Sequence, residues 1–384
     1  MFHQITLKLK ILIAPNAFKN SLDAVKSAEA IAKGLISSKL EVECLEQPIA
    51  DGGDGMLTVM LSQEGGEIKK VKVDDPLGRK VEAAFGLINK GKTAVIEMAE
   101  ASGIRLLKSE ELNPMKASSI GTGQLMKAAL DEGAEEIVIG LGGSATVDLG
   151  LGMAQALGVK MLDKEGEPIS QGGEGVQALH KIDLEEVDSR IKDVKIIVTC
   201  DVTNKLLEAP SVFGPQKGAD ESMVKVLEAQ FERVAKLLEK KLGKDIMKPE
   251  STGAAGGLGA ALYGFFDAEL VDGTDYLLSR TGFHKDLAEA DLVITAEGAL
   301  DKQTQAGKGP FYVASQAKAQ QIPVIMLAGS LPKDYQPKDY EVYDAIFSIG
   351  PRPQSLDEAL AHTAENLERT AYQIGNMLSL KIKK

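Results

Sequence analysis

Between Gly140 and Gly152, five glycines (Gly140, Gly142, Gly143, Gly150 and Gly152) alternate with Ser144, Thr146 and Asp148. A loop of that composition can hold an anion, because missing Cβ atoms let phosphate oxygens approach backbone N–H groups and hydroxyls add donors. An isolated glycine loop is more often a plain turn, but a plain turn does not require three polar side chains. In Asp51-Gly-Gly-Asp-Gly55 two carboxylates stand three positions apart on a bendable backbone. That pattern is either an Asx-capped turn or a seat from which a carboxylate meets magnesium or a substrate hydroxyl. Lys19, after one strand-like run and before a helix, has the position of a phosphate clamp. Asp201 closes the run Val194–Cys200, and Glu297 and Asp301 close another, with Gln303, Thr304 and Lys308 behind them.

The elements that must carry these groups are legible from periodicity. Ile137–Ile139 is a β-branched run and reads as a buried strand, and Gly152–Gly158 as a helix ended by a C′ glycine. Lys10–Pro15 reads as a strand, followed by a helix with Leu22, Val25, Ala28, Ile31 and Leu35 at helical spacing and Ser21 as N-cap. Met56, Val59 and Met60 continue helically after Gly55. Residues 67–100 alternate as strands, with a turn at Asp74–Gly78. Residues 124–132 and 221–242 read as helices, and Gly253–Gly259 as a glycine run before another. The tail alternates helix and strand, with a capping box at Ser355–Glu358, in the βαβ rhythm of a doubly wound sheet. Gly86–Thr93 matches the G-x-x-x-x-G-K-[ST] phosphate loop literally. It fails on context, since Thr93–Met98 is strand-like and Asn89–Lys92 is turn chemistry.

Composition narrows the classes. A chain of 384 residues favours two domains. A net charge of −12 with interspersed signs argues against a nucleic-acid surface. No apolar run approaches bilayer length, and Met1–Lys10 is too polar for a signal peptide. Cys44 and Cys200 make no disulfide scaffold and suit a reducing cytoplasm. His3, His180, His284 and His362 show no metal-ligand spacing.

Several blocks taken together carry a resemblance. Ala14–Leu22, Ala50–Gly55, Gly140–Thr146, Cys200–Asn204, Phe213–Ala219, Gly253–Gly259 and Glu297-Gly298 stand in order along the chain. From about Lys10 to the C-terminus the chain resembles the bacterial type I glycerate kinase family. The resemblance implies phosphorylation of D-glycerate by ATP with magnesium, giving 2-phosphoglycerate, with 3-phosphoglycerate as the alternative product. It also implies an α/β fold: a Rossmann-like doubly wound domain from both chain ends with an inserted α/β domain, and the active site in the cleft between them; the turn chemistry at Asp74–Gly78 and the acidic break before Asp291 set the bounds at 1–75 plus 285–384 and 76–284. The partners implied are glycerate and ATP; the oligomeric state stays open. The chain departs from the family pattern at Asn16-Ala17 (usually Asp-Ser), at Val147 and Leu149 (usually Asn and Gly), at Ala296 and Ala299 (usually Gly and Arg), and in a shortened Asp201–Phe213 loop.

Phosphoryl transfer rests on positioning and charge neutralisation, which allots the residues as follows. Gly142, Gly143, Ser144, Thr146 and Asp148 bind phosphate, together with Asp51, Asp54, Glu297 and Lys308 around the substrate. Lys19 neutralises developing charge, Asp54 or Asp201 holds magnesium, and Asp201 or Asp301 accepts the hydroxyl proton. Two rivals remain. One is a catalytically silent glycerate or nucleotide sensor, motivated by Val147 and Ala299. The other is a nicotinamide oxidoreductase, disfavoured because no G-x-G-x-x-G opens a helix with an acid about 20 residues on.

Overall fold

A computed structural model describes residues 8–300 and 309–380. The chain divides into two units, Met1–Ala50 with Thr274–Lys384, and Asp51–Gly273. The junctions thus lie before Asp51 and after Gly273, not near 75 and 285. Asp74–Gly78, whose turn chemistry suggested a boundary, is the tip of a hairpin inside the second unit.

The first unit is built on five strands, β1 (Leu9–Ile13), β2 (Val42–Glu46), and, beyond the second unit's strands β3–β10, β11 (Leu292–Ala299), β12 (Val324–Ser330) and β13 (Ala345–Ser348). All pair in parallel in the order β13-β12-β11-β1-β2. Apolar runs rather than strict alternation form these strands because both faces are covered. Ile11, Ile13, Ile294 and Ile325 face a core shared with Ile31 and Leu35 of the helix Ala24–Ile36 and with Leu367, Ala371 and Ile374 of the helix Thr363–Leu378. Leu12, Val293, Val324 and Met326 face the opposite core, with Phe283, Leu287, Val313 and Ala317. Each fully buried isoleucine, leucine or valine among these is worth roughly 1.5–3 kcal/mol over exposure. Gly34 lets the two helices of the first core meet, since a Cβ there would run into the Glu368 carbonyl. The first helix is capped by Asp23, which accepts from Lys26 N at 2.8 Å. Ser21, the expected cap, instead donates to the Leu360 carbonyl at 2.6 Å, because the helix begins two residues later than its apolar spacing suggested.

The second unit holds a six-stranded sheet: β3 (Glu67–Asp74), β4 (Lys80–Ile88), β5 (Thr93–Glu97), β6 (Glu136–Gly140), β9 (Lys195–Cys200) and β10 (Glu269–Asp272), in the order β10-β9-β6-β5-β4-β3. A separate antiparallel pair joins β7 (Lys160–Leu162) to β8 (Lys181–Asp183). β10, β9, β6 and β5 run parallel, while β4 is antiparallel to both its neighbours, β5 and β3. Ala94, Ile96, Ile137, Ile139, Ile196 and Val198 share one core with Leu125, Met153, Leu227, Phe231 and Leu258. The last four helical contributors include the amphipathic helix Glu221–Leu242, capped by Asp220 and ended by Gly243 at φ 69°. The phosphate-loop match is the β4–β5 hairpin. Thr93 opens a strand, and Lys92 Nζ sits 3.1 Å from Glu135.

Candidate active site

In open α/β sheets ligands bind beyond the carboxyl ends of the parallel strands. In the second unit those ends are Glu97 (β5), Gly140 (β6), Cys200 with Asp201 following (β9) and Asp272 (β10). The loop Asp51–Gly55 lies directly on them. The Gly52 carbonyl comes within 3.5 Å of Thr199 Oγ1, whose nearer oxygen acceptor is the Ile139 carbonyl at 3.3 Å. A Cβ on Gly140 would strike the Gly52 carbonyl, one on Gly142 would stand 2.5 Å from Gly53 Cα, and one on Gly273 2.5 Å from the Asp51 oxygen. Backbone rests on backbone here, which is why both segments are glycine-rich.

Gly143 has φ +74° and would place a Cβ 3.5 Å from Asp54 Oδ2, so the Asp51–Gly55 carboxylate and the second glycine loop face each other. Among the described residues, the backbone N–H groups of Gly142, Gly143 and Ser144 find no protein acceptor, and Gly143 is exposed. Three successive uncommitted N–H groups make a concavity for an anion. Asp54 is exposed and accepts from Arg105 Nη1 at 3.0 Å through Oδ1; Arg105 also pairs with Glu100.

Glu97 sets the loop's position. Its Oε1 accepts from Gly55 N at 3.0 Å and Leu57 N at 2.8 Å, at the start of the helix Met56–Glu64. Burial pushes its carboxyl up to about 7, with Asp54 and Glu100 adding to the rise and the Leu57 N–H opposing it.

Asp148, expected to meet phosphate, is fully buried and instead braces the loop. Its oxygens accept from Ser119 N at 2.8 Å, Ser119 Oγ at 2.7 Å, Gly150 N at 3.1 Å and Gly152 N at 3.3 Å. Burial raises its pKa against the pull of these bonds. Ser144 accepts from Lys217 Nζ at 2.6 Å. Thr146 is buried, and its Oγ1 has no partner among the described residues. The Gly253–Gly259 run supports the loop from behind, with Leu149 N donating to Gly256 O at 3.0 Å.

Asp51, Asp54, Gly142, Gly143, Ser144, Thr146, Asp148 and Asp201 therefore all belong to the second unit. Lys19 and Glu297 belong to the first, at the β1/β11 neighbours where the strand order 2-1-11-12-13 reverses. There Asn16 N donates to Ala296 O at 2.8 Å, and a Cβ on Gly298 would lie 3.7 Å from Lys19 N. Lys19 is exposed and Glu297 half-buried. Asp301 and Lys308 lie outside the described residues.

Among the described residues no group of three or more His, Cys, Asp or Glu could hold a metal. Magnesium needs no such group, since it keeps waters and takes one or two carboxylates plus substrate phosphates. Asp54, exposed beside an anion concavity and with Oδ2 uncommitted among the described residues, fits that role. Glu97, Arg105 and Lys217 were missed at the level of sequence. Glu97 carried a readable signal, an acid ending a buried run, as Asp201 does. The partners of Arg105 and Lys217 lie 51 and 73 positions away, beyond any local pattern.

Among the described residues no helix is long and apolar enough to cross a membrane. The model of the glycerate kinase family matches residues 11–379. A glycerate kinase of Halalkalibacterium halodurans is 46% identical over 367 residues, covering 95% of this chain and 97% of the relative. A protein of Escherichia coli K12 named glycerate 2-kinase is 41% identical, covering 97% of this chain and 98% of its own length. A crystal structure provisionally assigned as glycerate kinase 2 of Salmonella typhimurium LT2 superposes with a TM-score of 0.85 at 42% identity, over 97% of this chain and 98% of that one. With the family matched over nearly the whole length and on the same fold, the chain belongs to the glycerate kinase family and is an enzyme of the phosphotransferase class.

Proposed function

We propose that the protein phosphorylates D-glycerate with ATP and magnesium in the cytoplasm, as a type I glycerate kinase, and that the product is 2-phosphoglycerate. The observation that carries this reading is the row of uncommitted N–H groups at Gly142, Gly143 and Ser144, open beside the Asp54 carboxylate. A phosphate group needs such donors, and a carboxylate alongside it needs a cation between them. The 2-position is supported by the name of the Escherichia coli relative.

In this reading the glycine loop, with Ser144 and Thr146, binds phosphate oxygens, and Asp51 and Glu297 bind the substrate. Asp54 would hold magnesium, which when bound neutralises charge on the transferring phosphate. Lys19 neutralises further charge. Asp201 takes the proton from the C2 hydroxyl as its oxygen bonds to the γ-phosphorus and the bond to the bridging oxygen of ADP breaks. Glu97 holds the Asp51–Gly55 loop so that Asp51 and Asp54 stay in register with the glycine loop Gly142–Ser144; a displacement of about 1 Å can cost a hundredfold in rate.

The test is a coupled assay with enolase and pyruvate kinase, run without phosphoglycerate mutase. A 2-phosphate product flows through at once. A signal strictly dependent on added mutase would show phosphorylation at the 3-position. Binding of ATP without turnover of any small hydroxy acid would favour the silent-sensor reading instead.

A further inference from the structure

Lys217 ends the turn Pro215–Lys217, is 2% exposed, and makes no ion pair among the described residues. Its Nζ donates to Ser144 Oγ at 2.6 Å and to the Thr146 carbonyl at 2.8 Å. Burial pushes the ammonium down to about 7, against the attraction of Asp148. Burying an amine without a counter-ion is expensive, and the turn does not need it. Backbone bonds from Lys217 N to Gly214 O (2.9 Å), Gly218 N to Pro215 O (3.1 Å) and Ala219 N to Gly214 O (3.0 Å) already close it.

What Nζ achieves is directional. By donating to Oγ it occupies that oxygen as an acceptor, while the Thr146 carbonyl fixes Nζ in place. The Ser144 O–H is then left to donate elsewhere, and among the described residues it has no acceptor. Two positions on, the buried Thr146 Oγ1 has no hydrogen-bond partner at all among the described residues. A buried hydroxyl proton without an acceptor is unfavourable, so the undonated Ser144 proton and the unpartnered Thr146 hydroxyl in one loop point to an acceptor supplied by a ligand.

We infer that Lys217 is a positioning residue for phosphoryl transfer, aiming the Ser144 hydroxyl proton at an anionic oxygen of the bound reactants beside the N–H groups of Gly142, Gly143 and Ser144. This rests on the kinase reading above. It makes Lys217 act through Ser144 and not by touching the reactants.

The test compares wild type with Lys217→Met, Lys217→Gln, Ser144→Ala and the double variant Lys217→Met/Ser144→Ala, with steady-state kinetics on D-glycerate and ATP and thermal unfolding of each. Lys217→Met and Ser144→Ala should each lower kcat about tenfold to a hundredfold, with KM moving less than kcat. The double variant should be no slower than the slower single one, because both remove the same aimed hydroxyl. Lys217→Gln, whose amide can still donate to Oγ, should recover part of the rate, and it keeps the test open where Lys217→Met does not fold. Losses that multiply in the double variant, or a lowered Tm with kcat per folded enzyme unchanged, would overturn the inference alone. A wild type without turnover overturns the kinase reading and this inference with it.

Discussion

Glu97→Gln turns one buried carboxylate into a quantitative test of the loop's support. The wild-type carboxyl moves from an ordinary 4.5 to about 7 in the folded protein, chiefly through burial. At about 1.4 kcal/mol per pH unit, that displacement is worth about 3 kcal/mol, and little of it is screened because Glu97 is 7% exposed. The sign follows from linkage. Between 4.5 and about 7 the folded state binds the proton that the unfolded state has released, so stability is greatest below the window and is lost as pH rises through it. Above about 7 the cost is constant. Glutamine has no proton to release, yet its Oε1 can still accept from Gly55 N and Leu57 N. Relative to wild type, the variant should therefore gain about 3 kcal/mol on going from pH 4.5 to pH 8. The measurement is the urea denaturation of both proteins at several pH values, read as a difference so that all other titrating groups cancel. A difference that stays constant across the window would refute the reasoning, because Glu97 would then not be titrating there.

Further outcomes follow from the geometry and the proposed roles. Gly142→Ala would press a Cβ to 2.5 Å from Gly53 Cα, and the resulting shift of the Asp51–Gly55 loop should lower kcat/KM about a hundredfold. Gly133→Ala, at φ +85° in open space, should cost about 1–2 kcal/mol of stability with kcat/KM unchanged; equal kinetics for the two variants would sink the loop argument. Lys92→Ala removes only an exposed pair with Glu135 and should leave kcat/KM within about twofold, with stability changed by less than about 1 kcal/mol; a hundredfold loss would restore the phosphate-loop reading of Gly86–Thr93. Asp201→Asn and Lys19→Ala should each cripple turnover measured with ATP and D-glycerate while the thermal midpoint holds, and two variants as active as wild type would place the chemistry elsewhere.

Much of the scaffold was legible because its signals are local. The β-branched run Ile137–Ile139, the amphipathic helix 221–242 and the Ser355–Glu358 cap each announce themselves within one element, and the structure has them where periodicity put them. The glycines of the two loops were also legible, but not the reason for them. Nothing near Gly52 or Gly142 in sequence says that the two backbones touch. The same limit explains Asp148. Its hydrogen bonds to Gly150 and Gly152 are Asx-type chemistry that any aspartate before a helix could make, but its bonds to Ser119, 29 positions away, decide that it faces inward. The junction before Asp51 escaped notice for a similar reason, since the loop after it packs on β6, β9 and β10 and leaves no change of composition behind.

The assembly of the first unit from two separated stretches has a consequence for biosynthesis. The second unit is continuous from Asp51 to Gly273 and can close on itself while translation is still under way. β1 cannot. It lies between β2 and β11, so until Leu292–Ala299 leave the ribosome one edge of an apolar parallel strand waits without a partner, throughout the making of more than two hundred residues. Unpaired strand edges of this kind invite association between chains. A nascent chain arrested so that its emerged part ends near residue 290 should therefore show a protease-resistant second unit and a sensitive segment before Asp51, and early resistance of that segment would mean that something other than β11 shelters β1.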